Sequence, residues 1–294
     1  MPVLILLVYE MFIAFRKNVS LNNKIKTLSF LTPAIIIMLF ASSSKFQIGI
    51  RHLMPIYPFV FVVASKNAKQ SIFYYVLLAW LVVSNIIIHP NHLAYFNEIA
   101  GGADKGYNIL VDSNIDWGQD LNGVEEYLRN NKDTEIILSY YGACLTNYVK
   151  FPFQDLYSFG IWGEKKHINS LNPKKEILAV SATNLQGVYF GNSGNDLLYW
   201  LKKKKPFKKI GYSIFLYDIT NDYDAHRQLA HIYYFTGQLN KSLREVKRAL
   251  ILNENDAHSL LIYADLLTKQ KQYDEAIINY KKAIKISPKL NLPY

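Results

Sequence analysis

The pattern of hydrophobic and polar positions changes character at about residue 90. Before that point, four long apolar runs are separated by short basic segments, and they occupy residues 1–15, 28–43, 46–65 and 71–89. Apolar runs of this kind predict membrane-spanning helices, although the first is shorter than the ~20 residues that a span requires. After residue 92 the apolar runs become short and alternate with polar segments. We therefore predict a transmembrane region over 1–92, followed by domains in water.

The charges of the loops predict how these spans are oriented. Basic residues cluster in the loops after the first and third runs, at Arg16, Lys17, Lys24, Lys26, Lys66 and Lys69. These two loops lie on the same side of four alternating spans, and the positive-inside rule makes that side cytoplasmic. Everything after His89 is then predicted to be extracytoplasmic. These loops and one lysine run account for much of the net charge of +10, so a nucleic-acid partner is not predicted.

Between residues 93 and 220 the sequence predicts an α/β domain. Short runs rich in aliphatic and aromatic residues predict strands at 108–111, 135–141, 176–181 and 213–217. The intervening segments predict helices at 121–129, 143–150 and 195–202. Such alternation is typical of a small, Rossmann-like α/β fold. The segment GNSGND at 191–196 predicts a loop and not a nucleotide site, because no glycine fingerprint follows a strand.

The C-terminal region over 221–294 repeats with a period of 34 residues. This period predicts all-α tetratricopeptide helix pairs at 223–256 and 257–290. Ser242 stands where the first unit would normally have alanine, and Lys271 where the second would have glycine. Two units are fewer than the ~3 that usually bury a continuous core. The repeats therefore either cap the α/β domain or bind a protein partner or acceptor substrate.

Three sequence motifs resemble those of a known family. They are IGIRHLMPIYPF at 48–59, HLAYFNEIAGG at 92–102 and LVDSNIDWGQDL at 110–121. In this order they resemble the C-terminal half of bacterial membrane glycosyltransferases of the C type. These enzymes use polyprenyl-phosphate sugars and are related to the protein O-mannosyltransferases and the aminoarabinose transferases. The resemblance covers about residues 28–220.

The resemblance implies a multi-pass protein of the bacterial cytoplasmic membrane with extracytoplasmic C-terminal domains. It implies transfer of a sugar from a polyprenyl-phosphate donor to an extracytoplasmic acceptor. In the family, a carboxylate in an N-terminal loop acts as general base or metal ligand, and this chain shows no counterpart. On this interpretation the chain is the C-terminal portion of such an enzyme and is not active alone. The alternative is a non-catalytic, membrane-anchored tetratricopeptide scaffold.

Candidate donor-site residues come from the first motif. Arg51 matches the motif arginine of the family, which places it near the donor phosphate, and His52 and Tyr57 accompany it. Arginine near the end of a span also snorkels to lipid headgroups without any further role. Pro55 and Pro58 break a regular helix, which suits a segment that lines a cavity.

Candidate junction or acceptor-site residues come from the other two motifs, at Tyr95, Asn97, Asp112, Asp116, Trp117, Gln119 and Asp120. Asp112, Asn114 and Asp116 alternate like the first ligands of a calcium loop, but position twelve is Gly123. Asp112 and Asp116 are also candidates for a catalytic carboxylate pair. The simplest interpretation is structural: Asp112 ends a strand, and Asp116 caps the helix that follows.

The sequence predicts no metal site and no specific cofactor. The single cysteine, Cys144, excludes an intrachain disulfide and a cysteine-rich metal site. Pro90 lies between His89 and His92 and prevents a regular helix from placing them on one face as metal ligands. We therefore predict that they are interfacial residues. We keep a bound divalent metal as a hypothesis only for a full-length enzyme that carries the acidic loop.

Overall fold

The computed structural model describes residues 1–16, 18–43, 49–66, 72–163, 165–190 and 197–288. The chain divides into two compact units, Met1–Ile115 and Asp116–Tyr294. The division falls later than residue 92, and the second unit includes both the α/β part and the repeats. The predicted loop at 191–196 and the residues that open the third and fourth apolar runs lie outside the described residues.

The first unit is helical along each predicted apolar run. Its elements are α1 (Pro2–Ala14), α2 (Leu21–Ser43), a 3-10 helix (Gly49–Ile56), α3 (Tyr57–Ala64) and α4 (Ile72–Ile88). By length and composition, α2 is the one described helix that could cross a membrane, and it begins earlier than the predicted residue 28. The other apolar helices are shorter than a span requires. The finding for the described residues is therefore one candidate span and three shorter apolar helices.

The third apolar run is not one regular α-helix. Pro55 lies inside the 3-10 helix, and Pro58 lies in the first turn of α3. Proline has no backbone N–H and its ring clashes with the preceding turn, so it interrupts a continuous α-helix. The break that the sequence predicts at the two prolines is present.

The predicted strand at 108–111 is wrong. This part of the unit consists of short turns, namely 3-10 turns at His92–Ala94, Glu98–Ala100 and Asp112–Asn114 and the one-turn helix α5 at Ala103–Gly106. The amides of Asn108 and Ile109 donate to the carbonyls of Lys105 and Gly106, at 3.0 and 2.9 Å. Because these amides are used locally, they cannot form a sheet ladder.

The second unit begins with α6 (Leu121–Asn130) and is built on a mixed sheet. Its strands are β1 (Thr134–Ser139), β2 (Tyr141–Leu145), β3 (Gln154–Asp155), β4 (Phe159–Trp162), β5 (Lys175–Ser181), β6 (Lys208–Ile210) and β7 (Ile214–Asp218). The described helices between strands are short, α7 (Ala182–Leu185) and α8 (Tyr199–Lys202). The α/β class is confirmed, and so are the predicted strands at 135–141, 176–181 and 213–217.

The order of the main sheet is β3-β1-β5-β7-β6, and β2 pairs with β4 in a separate two-stranded sheet. β3, β1 and β5 run parallel, whereas β7 and β6 pair antiparallel. A Rossmann-like fold has a mostly parallel sheet with helices on both faces. The fold is therefore α/β, but its sheet is only partly parallel.

The predicted helix at 143–150 is wrong. Residues 141–145 form β2, which pairs in parallel with β4 through Tyr141 and Phe159, with an irregularity before Cys144. Gly142 has φ of +147°, which a helix does not allow. The partner strand lies well beyond the predicted segment, so local periodicity does not reveal the pairing. The predicted helix at 195–202 is shorter than expected, because its described part is α8 alone.

Alternate residues of the central strands face different helical layers. Ile136, Leu138, Ile177 and Ala179 form one core with α6. Because side chains alternate across a strand, Glu176 points to the opposite face, where it meets the repeat helices described below. The sheet is thus covered on both faces.

The C-terminal helices form two antiparallel pairs, as predicted. They are α9 (Tyr223–Phe235), α10 (Leu239–Leu252), α11 (Ala257–Lys269) and α12 (Tyr273–Ile286). Gly237 and Lys271, 34 positions apart, follow α9 and α11, and both have positive φ, +74° and +62°. Lys271 therefore adopts the left-handed conformation that glycine usually supplies, at a cost of about 1 kcal/mol. The buried Ser242 is accommodated because its hydroxyl donates to the carbonyl of Ala230, at 2.8 Å.

The first repeat is joined to the sheet by buried polar contacts. Arg244 of α10 donates to both carboxylate oxygens of Glu176 in β5, at 2.8 Å each, and to Glu245, also at 2.8 Å. Gln154 of β3 donates to Glu245 at 2.6 Å. The two glutamates and the glutamine are fully buried, and Arg244 is nearly so. The first repeat therefore forms the second helical layer of the α/β domain. Of the two roles predicted for the repeats, this one is the cap on that domain.

His226 of α9 completes this buried network. Its Nε2 lies 3.0 Å from the carbonyl oxygen of Ile219, and its Nδ1 lies 2.7 Å from Glu245. Burial raises the pKa of Glu176, and the charge of Glu245 raises it further. Burial also opposes ionisation of Glu245, but Arg244 and His226 outweigh it and hold the pKa of that carboxyl below its ordinary value. Arg244 is within ion-pair distance of both carboxyls, and this shared cation offsets the cost of burying them.

Candidate functional site

Two of the resembling motifs meet in the first unit. The guanidinium of Arg51, in the 3-10 helix after α2, donates to the hydroxyl of Ser113 in the turn Asp112–Asn114. These residues are 62 positions apart in the sequence. The structure therefore brings the predicted donor-site arginine beside the start of the aspartate string.

The backbone on both sides of this contact is tightly packed. Gly49 has φ of +63°, and a methyl group at this position would lie 1.9 Å from the side-chain oxygen of Asn114. The side-chain amide of Asn114 donates to the carbonyl of Val111, at 3.2 Å. Asp112 has φ of +59°, which is unusual for a residue other than glycine. The turn and the arginine segment therefore fit each other closely.

The other first-unit candidates differ in their surroundings. His52 is half-buried in the same 3-10 helix as Arg51. Tyr57 begins α3 and stacks on Phe61, with ring centroids 5.8 Å apart. Asn97 has a structural role, because its side-chain oxygen accepts a hydrogen bond from the amide of Ala100, at 3.0 Å. Tyr95 is partly exposed, and desolvation and the charge of Glu98 raise its pKa.

His89 and His92 lie together, which the sequence did not indicate. The Nδ1 of His89 and the Nε2 of His92 are 3.3 Å apart, and both side chains are exposed. The turn at 89–92 brings them together in spite of the proline between them. Within the described ranges, no group of three or more His, Cys, Asp or Glu side chains could hold a metal ion.

In the second unit, residues 116–120 form a turn closed by its own side chains. The carboxylate of Asp116, which is buried, accepts from the amide of Gly118 at 2.9 Å. The side-chain oxygen of Gln119 accepts from the amide of Trp117 at 2.8 Å. Trp117 itself is 58% exposed. The acidic and amide side chains therefore stabilise the turn, and the tryptophan is presented to solvent.

This turn is held against β1 by a tyrosine. The hydroxyl of the buried Tyr140 donates to the carbonyl of Gly118, at 3.1 Å. Gly118 has φ of +86°, and a methyl group there would lie 1.9 Å from that hydroxyl oxygen and 3.2 Å from the Cα of Gly142. Burial raises the pKa of Tyr140, and the charge of Asp116 raises it further. Glycine is therefore required at position 118.

The predicted N-cap, Asp116, lies four residues before the observed one. Asp120, and not Asp116, precedes α6, and its side chain makes no capping hydrogen bond. Its carboxylate instead accepts from the hydroxyl of Ser213, at 2.5 Å. Burial raises the pKa of Asp120, and the hydrogen bond from Ser213 partly offsets this rise. Asp112 and Asp116 belong to different units, and the carboxylate pair stays a prediction.

An aromatic cluster in the second unit was not predicted. The rings of Tyr141, Phe159 and Tyr189 lie nearly parallel, with interplanar angles of 8–11° and centroids 5.0–5.7 Å apart. Tyr141 and Phe159 are paired in the two-stranded sheet, and Tyr189 comes from the segment after α7. Only the alternation of aromatic residues in these segments could have indicated the cluster, because the strand pairing is non-local.

Comparison with known proteins identifies one part of the chain. The tetratricopeptide repeat family matches residues 257–290. This confirms the second predicted repeat, and such repeats generally mediate protein–protein interactions. Comparison with curated proteins gives no match. The match covers a single helix pair, so it shows a repeat and not the class of the whole chain.

Proposed function

We propose that this chain carries the donor-phosphate and acceptor regions of a membrane glycosyltransferase. The enzyme would transfer a sugar from a polyprenyl-phosphate donor to an extracytoplasmic acceptor. The resemblance of the three motifs supports this proposal. The observation that carries it is the contact between Arg51 of the first motif and Ser113 of the third, because residues of one site must lie together.

The chemistry of Arg51 suits a phosphate headgroup. A guanidinium offers a planar set of N–H donors that matches two phosphate oxygens, and it stays charged at any physiological pH. Ser113 holds this group on one side, and the close fit between Gly49 and Asn114 positions its backbone. In this proposal Arg51 binds the donor phosphate, and His52 and Tyr57 line the same segment.

The proposed location is the bacterial cytoplasmic membrane, with several spans and with the α/β and repeat domains outside the cytoplasm. The apolar helices α1 to α4 and the length of α2 support a membrane location. The basic loops around residues 16–26 and 66–69 support the orientation. A protease added outside intact cells should then cleave the C-terminal domains.

Binding of undecaprenyl phosphate to the full chain in phosphatidylcholine nanodiscs tests the donor site. Arg51→Ala should weaken binding about 10- to 100-fold, because a charge-assisted hydrogen bond contributes about 1.5–3 kcal/mol. Arg51→Lys should lose less, since it keeps the charge and loses the planar donor set. Native mass spectrometry or a filter assay with labelled lipid measures these affinities.

Arg16→Ala is the matched control. Arg16 is an exposed arginine near an apolar helix, and its guanidinium lies 5.0 Å from the ring of Phe12. The positive-inside rule puts it on the cytoplasmic side, so its removal should leave binding unchanged. Equal losses for Arg16→Ala and Arg51→Ala would mean general attraction to an anionic lipid and would refute the donor site.

The alternative function is a membrane-anchored scaffold that binds a protein partner through its tetratricopeptide repeats. The repeat match at 257–290 favours it. Because the first repeat packs on the sheet, the second pair, α11 and α12, is the part suited to a partner. Glycan transfer in membranes that contain the chain, with the acidic N-terminal half of such an enzyme supplied alongside it, separates the two functions. A transferase predicts that Arg51→Ala abolishes transfer, whereas a scaffold predicts no effect.

A further inference from the structure

We propose that the parallel rings of Tyr141, Phe159 and Tyr189, named here the aromatic platform, bind an uncharged saccharide. The inference rests on the proposed transferase for its role, because it assigns the acceptor as a sugar-containing molecule. Binding of the saccharide itself can be tested without any transfer reaction.

The geometry of the platform suits a pyranose ring. One face of a sugar ring carries C–H groups, which pack on the negative face of an aromatic ring. Such packing needs an aromatic face that is open to solvent. The three rings stack on one another, with interplanar angles of 8–11°, so the sugar would pack on an outward ring face, and Phe159 and Tyr189 remain 52% and 40% exposed.

The platform is held in place before any ligand arrives. Tyr141 and Phe159 are direct partners in the β2–β4 pair, and the amide of Tyr141 donates to the hydroxyl of Ser181 at 2.9 Å. A second ring pair, Tyr157 and Phe190, lies next to the platform residues in the sequence, with centroids 5.0 Å apart. Rigid aromatic side chains lose little entropy on binding, which favours a defined ligand.

The charge of the region favours a neutral ligand. The platform rings carry no formal charge, and the nearby Lys165, which donates to the carbonyl of Ser158 at 3.3 Å, forms an ion pair with Asp155 at 3.6 Å. The consecutive lysines at 202–205 lie elsewhere in the sequence, and an anionic membrane or nucleic acid would be attracted to them instead. Interfacial tyrosines that insert into a membrane do not need to be parallel. An uncharged saccharide fits both the uncharged rings and their parallel arrangement.

The position of the platform supports a binding site. Tyr141 follows the end of β1 and Tyr189 follows the turn after β5, and ligands of α/β sheets bind at the carboxyl ends of parallel strands. Buried Asn184 lies at the same edge, where its side-chain amide donates to Ser139 at 3.0 Å.

Saccharide binding to the full chain tests the proposal. The probes are maltohexaose and chitohexaose, with the chain in phosphatidylcholine nanodiscs so that no sugar-based detergent competes. Saturation-transfer NMR and tryptophan fluorescence measure saturable binding. Phe159→Ala and Tyr189→Ala should each weaken it about tenfold, which corresponds to ~1.4 kcal/mol. Phe159→Trp, which keeps an aromatic ring, should retain binding and shows that loss is not caused by misfolding.

Tyr148→Ala is the matched control, since Tyr148 is 72% exposed near the end of β2 but is outside the platform. It should leave saccharide binding unchanged. Absence of saturable binding of both saccharides by the wild-type chain would overturn the proposal. So would weaker association of the platform variants with lipid vesicles, which would identify a membrane contact. Loss of undecaprenyl phosphate binding alone would overturn the donor site and leave saccharide binding standing.

Discussion

Removal of Arg244 should destabilise the second unit more than removal of any exposed arginine. In Arg244→Met the side chain keeps most of its apolar stem, but Glu176 and Glu245 lose the cation that they share. Breaking a buried ion pair by deleting one partner costs about 3–5 kcal/mol, because the remaining charge is buried and uncompensated. Arg244 also donates to the carbonyl of Ser170, at 3.0 Å, and that bond is lost as well.

This free energy should be visible as a change in melting temperature. For a unit of 150–250 residues, 1 kcal/mol shifts Tm by roughly 2–4 °C, so the expected fall is about 6–20 °C. Thermal unfolding of the full chain, followed by circular dichroism and tryptophan fluorescence, measures it. Arg129→Met is the matched control, because Arg129 forms an ion pair with Glu125 at 2.7 Å but its side chain is 69% exposed. That exposed pair contributes at most about 1 kcal/mol.

A triple variant, Arg244→Met with Glu176→Gln and Glu245→Gln, separates charge from packing. It removes the uncompensated charges along with the cation, so it should recover much of the stability lost in Arg244→Met. If Arg244→Met melts within the range of Arg129→Met, the buried network does not join the first repeat to the sheet. If the triple variant is as unstable as the single one, packing and not charge explains the loss.

Two further predictions concern the turn at 116–120. Gly118→Ala should destabilise the unit by about 1–3 kcal/mol in urea unfolding, because of its positive φ and the close hydroxyl of Tyr140. In a Tyr140→Phe background the loss should be smaller, and an equal loss would exclude the steric explanation. For Asp120, burial raises the folded pKa above the unfolded value, so its favourable contribution is present at low pH and is lost as pH rises through the folded pKa. As pH rises from about 3 to 7, the free energy of unfolding of Asp120→Asn should therefore increase relative to that of the wild type. A difference between the two that does not change with pH would contradict the raised pKa.

The elements that the sequence predicted correctly depend on local patterns. β1, β5, β7 and α6 each have a clear period, and the spacing of 34 residues defines the helix pairs even where Lys271 replaces glycine. The helix predicted at 143–150 failed because β2 is stabilised by pairing with β4, which lies further along the chain. The strand predicted at 108–111 failed because its amides are satisfied within a turn.

The candidate site was predictable only in part. The resemblance singled out Arg51 and the segment that follows Val111, but it could not show that Arg51 contacts Ser113 across 62 residues. The aromatic platform depends on a strand pair and a loop that no local pattern connects. Arg244 and Glu245 lie in α10, and charged residues of an amphipathic helix usually face water. They are buried because Arg244 pairs both with Glu245 and with Glu176 on β5. A glutamate in a strand of mostly apolar residues was the one sequence feature that could have indicated this buried network.

The packing of the first repeat on the sheet changes where this protein can be cut or recombined. A chain ended near residue 220 would leave Glu176 and Gln154 without the helices that neutralise and cover them. The repeats therefore cannot be treated as an exchangeable tail that begins at 221. Residue 256 is no better as a cutting point, because Ala230 and Val246 of the first pair form one hydrophobic core with Ile262 and Leu266 of α11.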